Sequence, residues 1–237
     1  MTPSNPADAV KLLAFDVFGT VVDWHGSIVR EIASRFPGVD ADAFALAWRA
    51  GYQPAMQRVR SGELGWTLID DLHRMILDEL LPRFGLAHLD EASRRELNRV
   101  WHRLDPWPDA VAGLTRLKAR YTICTLSNGN LGLLADMAKR AALPWDCILS
   151  AEVFRAYKPD AATYLGAARV FDLAPQEAML VAAHQDDLAA ARACGLHTAY
   201  IERATEFGAT RPKDVAPDPR NTFHARDIGH LADLLNC

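Results

Sequence analysis

The sequence predicts an α/β protein whose parallel sheet is covered by helices on both faces, with a helical segment inserted near the N-terminus. Three observations indicate this class: short apolar runs recur along the chain, helical stretches separate them, and one stretch in the first half has no strand pattern. Strands that alternate with helices are joined by right-handed crossovers, and such crossovers build a parallel sheet.

The first apolar run, residues 11–17, stops at Phe18-Gly19-Thr20, as is typical of a strand buried on both faces that ends in a glycine turn. The later runs of the same character are residues 121–126, 147–149, 178–181 and 198–201. The helical stretches are residues 109–120, 131–142, 161–171 and 187–194. Their alternation with the apolar runs predicts βαβ units.

Residues 24–104 interrupt the alternation, because they have the pattern of several amphipathic helices. We expect them to form a helical cap domain inserted into a core domain of residues 1–23 and 105–237. Within the cap, a helix over residues 42–60 is expected to bend near Pro54, since proline lacks a backbone donor.

Composition and charge argue against several classes of protein. The chain has 237 residues, 50% of them hydrophobic, and a formal net charge of −4, so it can bury a core and has no basic field for nucleic acid. Its apolar runs stay well below the roughly 18 residues of a membrane span, so we expect no membrane partner. The four cysteines lie too far apart for a zinc or CxxC site, and we expect reduced thiols and a cytoplasmic location.

Polar residues follow several of the predicted strands. In an open parallel sheet, ligands bind at the carboxyl ends of the strands. Asp16 ends the first run, Ser127 and Asn128 follow the second, Lys158 lies in a loop before a helix, and Asp187 comes after the fourth. These side chains are predicted to converge on one crevice.

Most of these residues also have a purely structural interpretation. Ser127 and Asn128 are compatible with a helix cap, Asp187 with a cap or turn, and Lys158 with a solvated surface position. Asp16 differs, because a carboxylate within an apolar strand is costly to bury unless it is paired or used.

Four motifs, in this order, resemble those of the haloacid dehalogenase superfamily. They are Asp16-Val17-Phe18-Gly19-Thr20, Leu126-Ser127-Asn128-Gly129-Asn130, Tyr157-Lys158-Pro159-Asp160 and the late Asp187. The chain is most similar to the type II, or L-2-haloacid dehalogenase, group, in which the first motif ends in FGT or YGT and the second is SNGN. The resemblance implies a Rossmann-like core with an inserted helical cap.

Two departures from the phosphatases of the same superfamily concern the metal. Such phosphatases have a second aspartate two residues after the nucleophile, where this chain has Phe18. They also have a metal-binding aspartate in the loop after the fourth strand, where the corresponding residue is Ala183. A haloacid carries one carboxylate and releases a halide that needs no proton, so the resemblance implies a reaction without metal or other cofactor.

The resemblance implies that Asp16 attacks the halogen-bearing carbon of a short (S)-2-haloalkanoic acid, with the achiral haloacetates as a possible further class of substrate, and displaces halide. Water then attacks the ester carbonyl on Asp16, which gives the (R)-2-hydroxy acid. By the same resemblance Lys158 keeps Asp16 ionised, Thr20 and Ser127 hydrogen-bond in the site, and Asp187 orients Lys158 and activates water.

Further side chains are expected to bind the substrate or line the pocket. They are Arg49, Asn128, Phe18, Tyr164, His184, Trp24, Tyr52 and Trp66. Arg58 and Arg60 compete with Arg49 for contact with the substrate or halide, and the cap aromatics are equally compatible with the cap core. His184 stands where the group often carries Asn, and is either a donor near water or halide or a structural histidine.

Two other functions fit parts of the pattern. A magnesium-dependent phosphatase of the same superfamily shares the motif order, and a catalytically silent binding module is compatible with Ala182 and Ala183. Retention of Asp16, Ser127, Lys158 and Asp187 argues against the silent module. The expected partners are a haloacid and halide, with a homodimer suggested by related enzymes.

Overall fold

The computed structural model describes residues 6–237 and contains one six-stranded parallel sheet. The strands are β1 (Leu12–Phe15), β2 (Val22–Asp23), β3 (Asp105–Pro106), β4 (Thr122–Ser127), β5 (Cys147–Ser150), β6 (Ala178–Ala182), β7 (His197–Ile201) and β8 (Phe223–Ala225). The sheet order is β5-β4-β1-β6-β7-β8. This arrangement confirms the predicted fold class.

The helices precede, follow and connect these strands. They are α1 (Trp24–Arg35), α2 (Ala41–Ala50), α3 (Tyr52–Arg60), α4 (Ile69–Leu80), α5 (Glu91–Asn98), α6 (Ala110–Lys118), α7 (Leu131–Ala141), α8 (Ala151–Phe154), α9 (Ala161–Val170), α10 (Gln185–Ala193) and α11 (Ile228–Leu234). Short 3₁₀ turns span Pro6–Ala9, Leu81–Phe84, Arg99–Arg103 and Pro175–Glu177. Every helix among these residues is too short or too polar to cross a lipid bilayer.

The central strand β1 shows why the sheet is buried on both faces. Leu13 and Phe15 pack into a core that continues into the helices of residues 24–104, whereas Leu12 and Ala14 face a second core. All four side chains are 0% exposed, and burial of each large one stabilises the fold by about 1.5–3 kcal/mol. Strands β4 and β6 flank β1, so the carboxyl ends of all three strands lie side by side.

The helical segment α1–α5 leaves and rejoins the sheet domain at one place. Strand β2 precedes it, strand β3 follows it, and the two pair antiparallel, with Val22 opposite Pro106 and Asp23 opposite Asp105. The 23/24 and 104/105 domain boundaries stay a prediction.

The expectation of a single bent helix over residues 42–60 is wrong. Helices α2 and α3 are separate, and Gly51 lies between them. Pro54 lies in the first turn of α3, where its missing N–H removes no intrahelical hydrogen bond. The chain therefore turns at Gly51, and Pro54 is compatible with the start of the new helix.

Candidate active site

Asp16 directly follows β1, at the carboxyl edge of the sheet. Its backbone N–H donates to the Val181 carbonyl at 3.0 Å, which continues the pairing of β1 with β6. The side chain is 7% exposed, and the Thr20 hydroxyl donates to its Oδ2 at 2.7 Å. That hydroxyl accepts a 2.9 Å hydrogen bond from the backbone N–H of Ala183, so the carboxylate is anchored to two loops.

Lys158 lies between two buried carboxylates. Its Nζ is 3.0 Å from Asp16 Oδ1 and 2.5 Å from Asp187 Oδ2. The Tyr164 hydroxyl donates to the other oxygen of Asp187 at 2.5 Å. The backbone N–H of Lys158 donates to Asn128 Oδ1 at 2.8 Å, which fixes the loop that carries the ammonium group. Three strand ends and one loop thus build a single charged cluster.

These contacts keep Asp16 ionised. Burial raises the pKa of a carboxyl group, but the Lys158 charge and the hydrogen bonds from His184 and Thr20 hold the pKa of Asp16 well below its ordinary value. Burial would lower the pKa of Lys158, yet the two carboxylate charges raise it. The pKa of Asp187 is raised by burial, to which the nearby Asp16 charge adds. Asp16 is therefore suited to act as a nucleophile and Asp187 as a base.

A divalent cation does not fit between Asp16 and Asp187, because Lys158 Nζ already contacts both carboxylates. Within residues 6–237, no group of three or more histidine, cysteine, aspartate or glutamate side chains is arranged to hold a metal ion. Positive charge next to the nucleophile is instead supplied by side chains.

His184, which is partly exposed, supplies a second contact to the Asp16 carboxylate. Its Nδ1 lies 3.1 Å from Asp16 Oδ2, and its Nε2 lies 2.9 Å from Glu206 Oε1. Glu206 is fully buried, and its Oε2 accepts a hydrogen bond of 2.7 Å from Lys213. Burial would lower the pKa of His184, but the Glu206 charge and the hydrogen bonds to both carboxylates raise it to about 9. The ring is therefore an imidazolium at neutral pH.

A cavity of about 100 Å³ opens beside Asp16. Its walls are formed by Asp16, Phe18, Arg49, Tyr52, Gln53, Asn128, Lys158, Pro159, His184, Asp186 and Asp187. Most of the side chains predicted from the sequence are in this set. The cavity is smaller than the roughly 150 Å³ cavity that holds benzene in an engineered protein core, so it favours small ligands.

Arg49 is the cap arginine that lines this cavity. Its guanidinium carbon lies 4.2 Å from the centroid of the Tyr52 ring and 5.7 Å from that of Trp24. Its Nη1 is buried and has no hydrogen-bond partner among residues 6–237. A guanidinium with a buried donor that has no partner is suited to bind an anion in the cavity. The competing Arg58 pairs with Glu63 at 2.6 Å instead.

Three predicted site residues, Thr20, Tyr164 and Ser127, lie behind the cavity wall. Thr20 and Tyr164 contact side chains that form the wall, and Ser127 contacts the backbone of its own loop. Thr20 holds Asp16, and Tyr164 holds Asp187, as described above. Ser127 does not hydrogen-bond to the nucleophile; its Oγ accepts the backbone N–H of Gly129 at 3.1 Å, because it faces its own loop.

The structure corrects the expectation for two cap aromatics, Trp24 and Trp66, which do not line the cavity. Trp24 is fully buried, and its indole N–H donates to Glu206 Oε1 at 3.2 Å. Trp66 packs on Tyr157, with ring centroids 4.9 Å apart. Their apolar surface is used for packing between helices and core, while Phe18 and Tyr52 reach the cavity.

Sequence reasoning missed Gln53 and Asp186 on the cavity wall and Glu206 behind it. Gln53 adjoins the predicted Tyr52, and Asp186 adjoins the predicted Asp187, so their positions were within reach of the motifs. Glu206 lies in a polar loop far along the chain. The only sequence signal for it was His184, since a cationic ring that is partly withdrawn from water is stabilised by a nearby anion.

A buried carboxylate nucleophile, flanked by an ammonium, an imidazolium and a guanidinium, is suited to attack a small anionic substrate. The cations offset the negative charge of the substrate and of a departing anion, and the partly buried setting strengthens these interactions.

The chain is similar to known proteins in both sequence and fold. A sequence profile described as haloacid dehalogenase-like hydrolase matches residues 10–195. The fold superposes with a TM-score of 0.91 on the defluorinating L-2-haloacid dehalogenase Rha0230, which is 47% identical, with 96% of both chains covered. The L-2-haloacid dehalogenase PA0810 gives a TM-score of 0.91 at 46% identity, with 95% of this chain and 99% of that one covered. The (S)-2-haloacid dehalogenase H-109 of Pseudomonas putida is 27% identical over 232 residues, which are 94% of this chain and 96% of that protein.

Proposed function

The chain belongs to the haloacid dehalogenase-like hydrolases, in their L-2-haloacid dehalogenase group, and on this premise we propose that it hydrolyses short (S)-2-haloalkanoic acids to (R)-2-hydroxyalkanoic acids and halide. The resemblance of the four motifs to this group is thereby confirmed. The observation that carries the proposal is the contact of Asp16 with Lys158 at 3.0 Å on the wall of a small cavity that also contains the guanidinium of Arg49.

In the first step the Asp16 carboxylate attacks the halogen-bearing carbon from the side opposite to the halogen. The carbon–halogen bond breaks as the carbon–oxygen bond forms, which inverts the configuration and leaves an ester on Asp16. Lys158 keeps Asp16 ionised and oriented. Arg49 binds the substrate carboxylate or the departing halide, since its buried Nη1 is free.

In the second step water attacks the ester carbonyl carbon of Asp16 and releases the hydroxy acid. Asp187 accepts the proton of the water, because its pKa is raised by burial and by the Asp16 charge. Tyr164 and Lys158 hold the two oxygens of Asp187 in place for this transfer.

The cavity favours the smallest members of the substrate class. A volume of about 100 Å³ suits haloacetates and 2-halopropionates, which have five and six heavy atoms respectively. The relative Rha0230 is described as defluorinating, so fluoroacetate belongs among the substrates to be assayed for this chain.

Mass spectrometry of a single turnover in oxygen-18 water tests this mechanism. An ester on Asp16 puts the first heavy oxygen into that carboxylate and leaves the hydroxy acid unlabelled. Label that appears first in the product would mean direct attack by water and would contradict the proposal. Asp16→Asn is expected to abolish halide release from L-2-chloropropionate, and a folded wild type that releases no halide from any haloacid would indicate a silent binding module.

The phosphatase alternative is tested in the same assay with a phosphomonoester in the presence and absence of EDTA. Metal-dependent release of phosphate would overturn the dehalogenase assignment.

We also infer a cytoplasmic location, for which the free thiol state of the four cysteines is the support. The homodimer stays a prediction.

A further inference from the structure

We propose that His184 and Glu206 form the oxyanion site for ester hydrolysis: Glu206 holds His184 as a cation, and this cation stabilises the negative charge that develops on Asp16 Oδ2 when water attacks. The inference rests on the proposed hydrolysis of haloacids through an ester on Asp16. It assigns a positioning role to Glu206, a residue outside all four motifs.

Both ring nitrogens of His184 face carboxylate oxygens. Nδ1 lies 3.1 Å from Asp16 Oδ2, and Nε2 lies 2.9 Å from Glu206 Oε1. A neutral imidazole has one N–H donor and one acceptor nitrogen, and an acceptor nitrogen repels a carboxylate. With both carboxylates ionised, both contacts are hydrogen bonds only when the ring carries two protons, so the geometry favours an imidazolium.

The hydrogen bonds of Asp16 indicate which of its oxygens attacks. An ionised carboxylate oxygen accepts about two hydrogen bonds. Oδ2 accepts from Thr20 at 2.7 Å and from His184 at 3.1 Å, whereas Oδ1 contacts only Lys158 among the side chains of the described residues. Oδ1 therefore has the free lone pair for attack on carbon. Oδ2 becomes the carbonyl oxygen of the ester and keeps both donors.

The charge of His184 must persist after the first step, when Asp16 has become a neutral ester. From then on Glu206 is the carboxylate that directly contacts the ring. Glu206 is fully buried, and burial would raise its pKa, but His184 and Lys213 lower it to about 2. Glu206 thus stays ionised throughout the physiological range and holds the proton on His184.

The surrounding residues hold Glu206 in this position. Lys213 donates to its Oε2, and the Trp24 indole donates to its Oε1. Gly19 leaves room for the carboxylate, since a Cβ atom at Gly19 would lie 2.3 Å from Glu206 Oε1. The charged groups that face His184 or share its cavity are Asp16, Glu206, Lys213, Asp186, Asp187, Lys158 and Arg49.

The hydrolytic step balances without a proton from His184. Water forms a bond to Cγ of Asp16 and gives a proton to Asp187, while the negative charge collects on Oδ2 between Thr20 and His184. The Cγ–Oδ1 bond then breaks, and Oδ1 leaves with the product and takes a proton from Lys158, which is 3.0 Å away. Lys158 regains a proton from Asp187 at 2.5 Å, and the new Asp16 carboxyl group loses one to solvent.

Glu206→Gln in single-turnover reactions with L-2-chloropropionate tests the proposal. We expect a halide burst within about threefold of wild type and ester decay slowed at least about tenfold, because one oxyanion donor typically contributes more than that. The rate of ester decay should fall as pH rises through the pKa of His184. In Glu206→Gln this alkaline limb should move to lower pH by at least about one unit.

Two control variants separate the effect of the Glu206 charge from a general structural effect of substitution. Glu202→Gln removes another carboxylate of the same loop, which pairs with His224 at 2.6 Å, and should leave burst, decay and alkaline limb unchanged. His184→Asn supplies the residue common in the group, a donor that does not titrate. It should support slow ester decay whose rate shows no alkaline limb.

NMR titration of the wild type measures the pKa of His184 without any substitution at Glu206. The His184 signal is assigned by its absence from the spectrum of His184→Asn. We expect a pKa of about 9 for His184. An ordinary histidine pKa would overturn the inference, as would a Glu206→Gln variant in which burst and ester decay slow equally or not at all. A wild type without any halide burst would instead overturn the proposed function, and the oxyanion role with it.

Discussion

The Tyr164 hydroxyl donates a 2.5 Å hydrogen bond to the oxygen of Asp187 that does not contact Lys158. This bond opposes the effect of burial, which raises the pKa of Asp187. In Tyr164→Phe the pKa of Asp187 should rise further, so less of it is ionised to accept a proton from water. We expect ester decay at neutral pH to slow by about tenfold, the cost of a hydrogen bond to a charged group.

The control for this variant is Tyr200→Phe. Tyr200 is also buried, and its hydroxyl has no hydrogen-bond partner among the described residues. The Tyr200→Phe variant should leave the pH profile of ester decay unchanged. An acidic limb that moves to lower pH in Tyr164→Phe would contradict the base role of Asp187.

Arg49→Lys should raise KM for haloacids by about tenfold or more, with a smaller effect on kcat. The planar guanidinium stacks on Tyr52 at 4.2 Å and offers fixed donors, which a lysine ammonium does not reproduce. Steady-state kinetics with chloroacetate measure the change. Arg60→Lys, at an exposed cap position away from the cavity wall, is the matched control. Equal effects of the two substitutions would contradict the assignment of the anion site.

His102 joins the helical segment to the core in a pH-dependent manner. Its Nε2 lies 3.0 Å from Asp70 Oδ2 of α4, and its Nδ1 lies 2.8 Å from Asp136 of α7, which Arg99 also contacts. Burial would lower the pKa of His102, but its hydrogen bonds with the two aspartates raise it. Its contribution to stability is therefore complete below the ordinary histidine pKa of about 6.5 and is lost as pH rises through the raised value.

His102→Gln should accordingly lower the free energy of unfolding by about 2 kcal/mol in mildly acidic buffer and by less in alkaline buffer. Urea unfolding across this range measures the difference. His88→Gln, at an exposed histidine of the same segment, is the matched control. A loss of unfolding free energy in His102→Gln that grows as pH rises would contradict this prediction.

Gly19→Ala should lower the free energy of unfolding for two reasons. Gly19 has φ 85°, a conformation that costs other residues about 1–2 kcal/mol, and its added methyl group would collide with Glu206 Oε1. We expect a loss of about 2 kcal/mol in unfolding free energy. Gly38→Ala, at φ 99° with open space around it, isolates the backbone cost. If the proposed oxyanion site is right, only Gly19→Ala also slows ester decay.

The convergence of the catalytic cluster was predictable from the sequence. Asp16, Ser127 and Asp187 follow buried apolar runs, and the carboxyl ends of adjacent parallel strands meet at one edge whatever loops follow them. Lys158 reaches the same edge because its loop is fixed by Asn128.

The contribution of the C-terminal region was not predictable in the same way. Strand β8 has three residues and contains His224, so it lacks the apolar run that identified the other sheet strands. The loop of residues 202–221 is polar, and no local pattern distinguishes buried Glu206 from a solvated glutamate. Its position depends on Lys213, which also donates to the Ala183 carbonyl, and on long-range contacts that periodicity does not encode.

The antiparallel pairing of β2 with β3 has a consequence for how such proteins diversify. Because the chain departs at Asp23 and returns at Asp105 through neighbouring strands, the intervening helices form a cassette with adjacent ends. Replacement of that cassette would break no hydrogen bond within the six-stranded sheet. Asp16, Lys158 and Asp187 would stay on the sheet domain, while Arg49, Tyr52 and Gln53 would be exchanged together with Trp24, which contacts Glu206. Exchange of the helical segment would thus change the cavity wall that faces the substrate, while the pairing of Lys158 with the two carboxylates keeps its place.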